Sequence, residues 1–172
     1  MPLQLVRPSF AYEEQVMQYK EAMLANHDSF DGCAGLEEAE TFAQWMDFDN
    51  RFKAKVYVPS EVCLAVRTED DKVVGIIDFR HPLTPFLLQY GGNIGYSILP
   101  CERRKGYASQ MLALLLPICK EYGEEKVLLT CDQTNHASRR TILKNGGVLE
   151  NVVIDDVGLS ACGVIERYWI VL

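Results

Sequence analysis
No apolar stretch in the sequence approaches the roughly 20 residues that a bilayer-spanning helix needs, so no spanning helix is expected. There is no Cys-x-x-Cys pair, and no histidine stands at zinc-ligand spacing from a cysteine. The cysteines at 33, 63, 101, 119, 131 and 162 therefore read as buried free thiols, with no metal site expected. Cys63, Cys119 and Cys131 lie in apolar runs, where cysteine packs as a small hydrophobe. Positive charge is scarce: 17 Lys and Arg face 24 Asp and Glu, a net charge of −7. General binding to nucleic acid or to an anionic membrane is not expected on that balance. A local cluster of cations on such a background carries more information.

Met1 to Phe10 holds Arg7 within an alternating pattern and lacks a long apolar segment, so no signal peptide is expected and the cytoplasm is the default location. No repeat, low-complexity tract or linker interrupts the 172 residues. One mixed α/β domain over residues 1–172 follows.

Leu3 to Arg7 alternates as a strand, closed by Pro8. Glu13 to Asn26 repeats apolar residues at helical spacing, and so does Leu36 to Phe52 through Leu36, Ala39, Phe42, Ala43 and Met46. Strands are expected over 61–67 and 72–80, joined at Glu69-Asp70-Asp71, and over 93–99, stopped by Pro100. A helix over 105–122 has an apolar face of Ala108, Met111, Leu112, Leu115 and Cys119, and Pro117 should kink its last turn. Then come a buried strand over 126–132, a helix over 135–145 closed by Gly146-Gly147, and strands over 148–154 and 163–172.

The chemistry concentrates in Asn93 to Ser109: a strand, a proline stop, three consecutive cations Arg103-Arg104-Lys105, Gly106, then a helix start. Orphan N–H groups and the helix dipole make such a start an anion site, and glycine lets a ligand approach the backbone. The segment is neither a Walker loop nor a dinucleotide fingerprint, since neither glycine pattern is present. By itself it is equally an ordinary solvated basic turn.

Arg103-x-x-Gly106-x-Ala108 resembles the Arg/Gln-x-x-Gly-x-Gly/Ala signature of the GNAT superfamily of N-acetyltransferases. Gly95 to Pro100 is similar to the strand before that signature, and Asn135-His136-Ala137-Ser138 with Lys144-Asn145-Gly146-Gly147 to the helix after it. The likeness is specific over about 93–147 and loose before 60; the ending Arg167-Tyr168-Trp169-Ile170 resembles that of bacterial predicted acetyltransferases. It implies a central, mostly antiparallel twisted sheet with splayed central strands, flanked by helices. It also implies acetyl-coenzyme A as donor substrate and an amine acceptor on a small molecule or peptide. Ile98 and Leu99 would pair with the pantetheine arm, while the N–H groups from Arg104 through Lys105, Gly106, Tyr107 and Ala108 to Ser109 would cradle the pyrophosphate. Arg103 and Arg104 would add charge, and Asn135 and Ser138 would lie along the pantetheine. Pairing of the terminal strand in a homodimer is open.

The likeness also departs from this chain. Many members carry an acid tyrosine where Ile142 stands, and relatives often have histidine where Asn93 stands. Tyr96 and Asp132 are the remaining catalytic candidates; His81 and Cys131 are weaker ones. Asp28, Asp31 and Glu37 would suit a cationic amine, and Trp45, Phe48, Phe52 and Tyr57 could line its pocket. A non-catalytic acyl-coenzyme A sensor is the rival reading, and a nucleotide-binding domain of another kind is a third.

Overall fold
A computed structural model describes residues 1–47 and 59–172. Its strands are β1 (Leu3–Val6), β2 (Ser60–Arg67), β3 (Lys72–Arg80), β4 (Ile94–Ile98), β5 (Lys126–Asp132), β6 (Val148–Ile154) and β7 (Val164–Val171). They form two antiparallel sheets, in the orders β1-β2-β3-β4 and β5-β7-β6. The strand boundaries match those expected from the sequence to within one residue.

Helix α1 (Glu13–Ala25) buries Val16, Tyr19 and Met23 on one face. It closes in a Schellman motif: His27 N–H reaches Leu24 O, and Asp28 N–H reaches Met23 O. The long helix expected over 36–52 is corrected. Among the described residues only α2 (Phe42–Met46) is helical there, capped by Thr41 Oγ1 accepting from Gln44 N–H at 3.2 Å. Before it, turns link Leu36 N–H to Cys33 O and Ala39 N–H to Gly35 O. Turns and a short helix bring Leu36, Ala39, Phe42 and Trp45 into one core and so imitate helical spacing. Phe48, Phe52 and Tyr57 lie outside the described residues.

Helix α3 (Tyr107–Glu121) passes through Pro117 and continues to Glu121. The carbonyl that loses its donor belongs to Ala113, on the exposed face. Helix α4 (His136–Lys144) ends as expected, with Gly146 N–H on Leu143 O and Gly147 N–H on Ile142 O. The segment between β3 and β4 holds a π-helical turn, Leu87–Gly91, tied to the second sheet by Arg167 on Leu88 O (2.7 Å) and Thr130 on Tyr90 O (2.7 Å).

The first sheet carries apolar residues on both faces. One face packs with α3, with Ile142 of α4 and with Val127, Leu129, Tyr168 and Ile170 of the second sheet. The other packs with α1 and α2 through Tyr19, Met23, Phe42 and Trp45. All six cysteines are free; Cys33, Cys63, Cys119 and Cys131 are buried, whereas Cys101 and Cys162 are exposed, against the expectation of burial. Among the described residues no helix is long and apolar enough to cross a membrane.

Candidate active site
The two sheets meet at β4 and β5 without a ladder between them. Among the described residues only Asn93 joins these strands by hydrogen bonds. Its N–H donates to Leu128 O (2.7 Å) and its side-chain Oδ1 accepts from Leu128 N–H (2.8 Å). Toward β3, Nδ2 donates to Arg80 O (2.9 Å) and the Asn93 carbonyl accepts from Arg80 N–H (2.6 Å). Asn93 is thus fully buried with both amide ends engaged. Sequence reasoning saw in it only the loss of a possible base.

Past this clamp β4 keeps one edge on β3. The pair Arg80–Asn93 at one end and Leu99 N–H on Val74 O at the other fix the alternation of the ladder. Residues 93, 95, 97 and 99 point their backbone groups at β3, so those of Ile94, Tyr96 and Ile98 face the β5 side. Leu99 is therefore corrected as a pantetheine partner: its N–H is held by Val74 O, and its carbonyl accepts from Glu102 N–H. The Ile98 carbonyl is also taken, by Arg103 Nε at 3.0 Å. The Ile98 N–H and the backbone groups of Tyr96 are what this edge offers.

At the end of the strand the chain turns through Arg104 and Gly106, both with positive φ (61° and 82°), into α3. Gly106 is the N-cap and supplies no side-chain cap. Among the described residues no backbone N–H from Arg104 to Ser109 has a hydrogen-bond partner; Gln110 N–H is the first to find one, on Gly106 O. A run of orphan donors at a helix start concentrates partial positive charge. A Cβ at Gly106 would meet nothing within 4 Å, so the space above the loop is open.

The three cations divide. Arg103 turns back across β4 to Asp28, with Nη1 at 3.0 Å from Oδ1 and Nη2 at 2.7 Å from Oδ2. Lys105 Nζ lies 2.8 Å from Glu102, which also receives Arg67 (2.9 Å) and Lys72 (2.8 Å). Arg104 is exposed and has no partner among the described residues. Burial opposes ionisation of Glu102, but Lys105, Lys72 and Arg67 outweigh it and bring its carboxyl down to about 2 from 4.5. A depressed folded value stabilises above the unfolded one. Glu102→Gln should therefore cost about 2 kcal/mol at pH 7, discounted because the lysines are part-exposed. The gap to wild type should close as pH falls from 4.5 toward 2, as urea unfolding at pH 7 and pH 3 would show. An equal gap at both would exclude the ion pairs as its source.

Across the cleft, Asn135 caps α4, its Oδ1 accepting from Ser138 N–H at 3.1 Å. Ser138 Oγ lies 2.8 Å from the Tyr96 hydroxyl, so a contact spans from β4 to α4. Asn145 Nδ2 donates to Ser109 O (3.2 Å), linking α4 to the first turn of α3. Burial pushes the Tyr96 phenol well above its ordinary value, more than the Ser138 hydrogen bond lowers it. Tyr96 is therefore a neutral phenol, able to donate.

The sequence matches the family model described as Acetyltransferase (GNAT) domain over residues 6–148, a span that takes in the clamp, the loop and α4. The chain belongs to the GNAT acetyltransferase family, and is an acyltransferase. No curated protein matches it. Among solved structures it is similar to Mycobacterium smegmatis RimJ in complex with a coenzyme A disulfide, with TM-score 0.70 and 16% identity over 98% of this chain and 81% of that one. The microcin self-immunity acetyltransferase MccE, in complex with acetyl-coenzyme A and AMP, gives TM-score 0.69 and 17% identity over 99% and 92%. A Salmonella typhimurium acetyltransferase that modifies the N-terminal serine of a 50S ribosomal subunit protein gives 0.66 and 16% over 99% and 95%. At these identities the likeness is one of fold, and the expected antiparallel sheets flanked by helices are those of the GNAT structures.

Within this GNAT chain the other candidates part company with the cleft. Asp132 is corrected as a base. Burial would raise its carboxyl, but Ser160 Oγ (2.6 Å), Thr134 N–H (2.7 Å) and Cys162 N–H (3.1 Å) hold it far below the carboxylate range. It fastens the 155–163 loop to the end of β5. Ile142 is a fully buried core residue. His81 stacks on Phe79 and meets the Tyr122 ring at a tilt, each at 4.8 Å between ring centroids. Burial pushes the Cys131 thiol up to about 11, which leaves it unreactive at neutral pH. Of the acceptor-side acids, Asp28 is consumed by Arg103, while Asp31 and Glu37 are exposed. Trp45 is core, donating from Nε1 to Cys33 O at 2.8 Å. Sequence reasoning also missed Glu166, buried and held by Arg139 (2.6 Å) and Tyr168 (2.6 Å); its alternation on β7 gave no sign of a charge network.

Proposed function
We propose that this enzyme moves an acetyl group from acetyl-coenzyme A to an amine of a small molecule or peptide by direct attack. The observation that carries it is the run of unpartnered N–H groups from Arg104 to Ser109 beside the exposed edge of β4. Those donors, with Gly106 open to solvent and Arg104 without a partner among the described residues, suit a pyrophosphate. Tyr107 contributes only its backbone, since its side chain is buried. The Ile98 N–H suits the pantetheine amides as an added strand would, with Ser138 and the Asn135 amide nitrogen on the opposite wall. Acetyl-coenzyme A supplies the thioester. The amine nitrogen bonds to the acetyl carbon, the carbon–sulfur bond breaks, and the amine proton leaves to water. Tyr96 is the donor we assign to the departing sulfur, and Ser138 relays a proton back to it from solvent. One domain over 1–172 is supported by the core cluster that the two sheets share. Six unpaired thiols fit a reducing compartment such as the cytoplasm.

Thiol release from acetyl-coenzyme A should be measured over free-amine peptides, the same peptides N-terminally blocked, and small polyamines. Release with a free amine and not with its blocked form is expected. Coenzyme A binding without release on any amine would favour the sensor reading instead. Tyr96→Phe should lower kcat by about a hundredfold, within the usual range for a lost general acid, with KM for acetyl-coenzyme A little changed. An unaltered kcat would remove Tyr96 from the mechanism.

A further inference from the structure
Arg103 opens the signature loop, yet its guanidinium points away from the unpartnered N–H groups. It crosses the end of β4, where Nε donates to the Ile98 carbonyl at 3.0 Å, and reaches the opposite face. There it forms a two-pronged pair with Asp28, and Nη2 lies 3.9 Å from Met23 Sδ. Asp28 is the residue that closes α1, through its N–H on Met23 O, and Asn26 Nδ2 also donates to its carboxylate at 2.7 Å.

The segment that Asp28 begins runs along the back of the same strand. A Cβ on Gly32 would lie 2.3 Å from the Gly95 carbonyl oxygen, so the two backbones touch. Cys33 Sγ sits 3.2 Å from Ser97 Oγ, which also meets the Tyr19 hydroxyl at 2.9 Å. Residues 28–33 are thus pinned at both ends: to β4 by close contact at Gly32 and Cys33, and to Arg103 by one ion pair at Asp28. Between the pins lie Ser29, Phe30 and the exposed Asp31, whose carboxylate accepts from Ser29 Oγ at 2.8 Å.

We propose that Arg103 is a positioning residue that transmits occupation of the 104–109 loop to segment 26–33 on the far side of β4, so that donor binding orders that segment. This rests on the cofactor reading of that loop and extends it. Arg103 is bracketed by groups assigned to the donor: the Ile98 N–H one peptide away from the carbonyl it holds, and the Arg104 N–H next in the chain. Fixing those groups on a ligand fixes the backbone that carries the guanidinium. The planar fork then holds Asp28 in one place, where a lysine would hold it by charge alone. Coupling of this kind needs no change of shape, only a narrower ensemble in the second segment once the first is bound.

Hydrogen exchange with and without coenzyme A tests this without any acceptor. The reporters are the amides of His27, Asp28 and Cys33, bonded to the carbonyls of Leu24, Met23 and Phe30. In the wild type, coenzyme A should slow exchange at 104–109, and at 26–33 by about fivefold or more, the low end of common coupling. Asp28→Asn and Arg103→Lys should keep the protection at 104–109 and lose the coenzyme A-dependent slowing at 26–33. A purely structural pair would change basal exchange at 26–33 without altering its response to coenzyme A. Equal slowing in the variants, or none at 26–33 in a wild type protected at 104–109, would overturn the coupling. No protection at 104–109 in the wild type would instead sink the cofactor reading, and the coupling with it.

Discussion

Gly106→Glu should weaken coenzyme A binding by about a hundredfold or more while the chain still folds. Two effects act on the ligand. The new carboxylate would stand in the open space above the loop, where a Cβ meets no atom within 4 Å, and would face the pyrophosphate. Like charges brought together across an interface cost several kcal/mol, and every 1.4 kcal/mol is tenfold in affinity. The backbone also resists the substitution, because φ at Gly106 is 82°. A side chain held in the left-handed region costs about 1–2 kcal/mol, which lowers stability without unfolding a domain of ordinary stability. Gly106→Ala separates the effects: it carries the conformational cost but no charge, so its affinity loss should stay below about tenfold. Titration calorimetry with coenzyme A at low and high salt makes the comparison, and the glutamate penalty should shrink as salt rises. Affinity unchanged in Gly106→Glu would remove this loop as the pyrophosphate site. Arg104→Glu is the cleaner charge reversal, since Arg103→Glu would first break the pair with Asp28.

What the sequence made legible was local. The strand ranges followed from alternation, and the helix start at Gly106 followed from a proline stop, three contiguous cations and one glycine. The end of α4 was written in Asn145-Gly146-Gly147 for the same reason. Partners far apart in the chain were not legible. Asp28 lies 75 residues before Arg103, and no pattern in either segment announces the pair that takes Arg103 away from the phosphate site. Tyr96 and Ser138, 42 residues apart, meet because the fold brings β4 and α4 together. Asp132 looked like a base because it ends a buried strand, but the loop that saturates it, at Ser160 and Cys162, is contributed from beyond β6. The stretch from Leu36 to Met46 misled for a different reason: a threefold spacing satisfies turns as well as it satisfies a helix. The divergence of the central strands was carried by resemblance alone. In this chain a single residue, Asn93, links the two strands by hydrogen bonds among the described residues.

That residue gives the second large effect. Asn93→Leu should destabilise the protein by about 2–4 kcal/mol, because it strands two partners at once. Leu128 N–H would lose the Oδ1 that accepts from it at 2.8 Å, and Arg80 O would lose the Nδ2 donor at 2.9 Å. Leucine has the branching and heavy-atom count of asparagine and more bulk, so the loss would not report a cavity. Asn93→Gln keeps the amide but displaces it by one methylene, and should fall between wild type and leucine. Urea unfolding gives the free energies, and an unchanged slope would confirm that the cost lies in the folded state. Activity should fall further than stability explains. The clamp sets where β4 leaves β5, and with it the span that lets Tyr96 reach Ser138 at 2.8 Å. At temperatures where Asn93→Leu remains folded, kcat should therefore drop by at least about tenfold, a size that small misplacements of reacting groups readily produce. A variant that loses less than about 0.5 kcal/mol, the range of ordinary surface changes, would show that the strands are held together by something other than this residue.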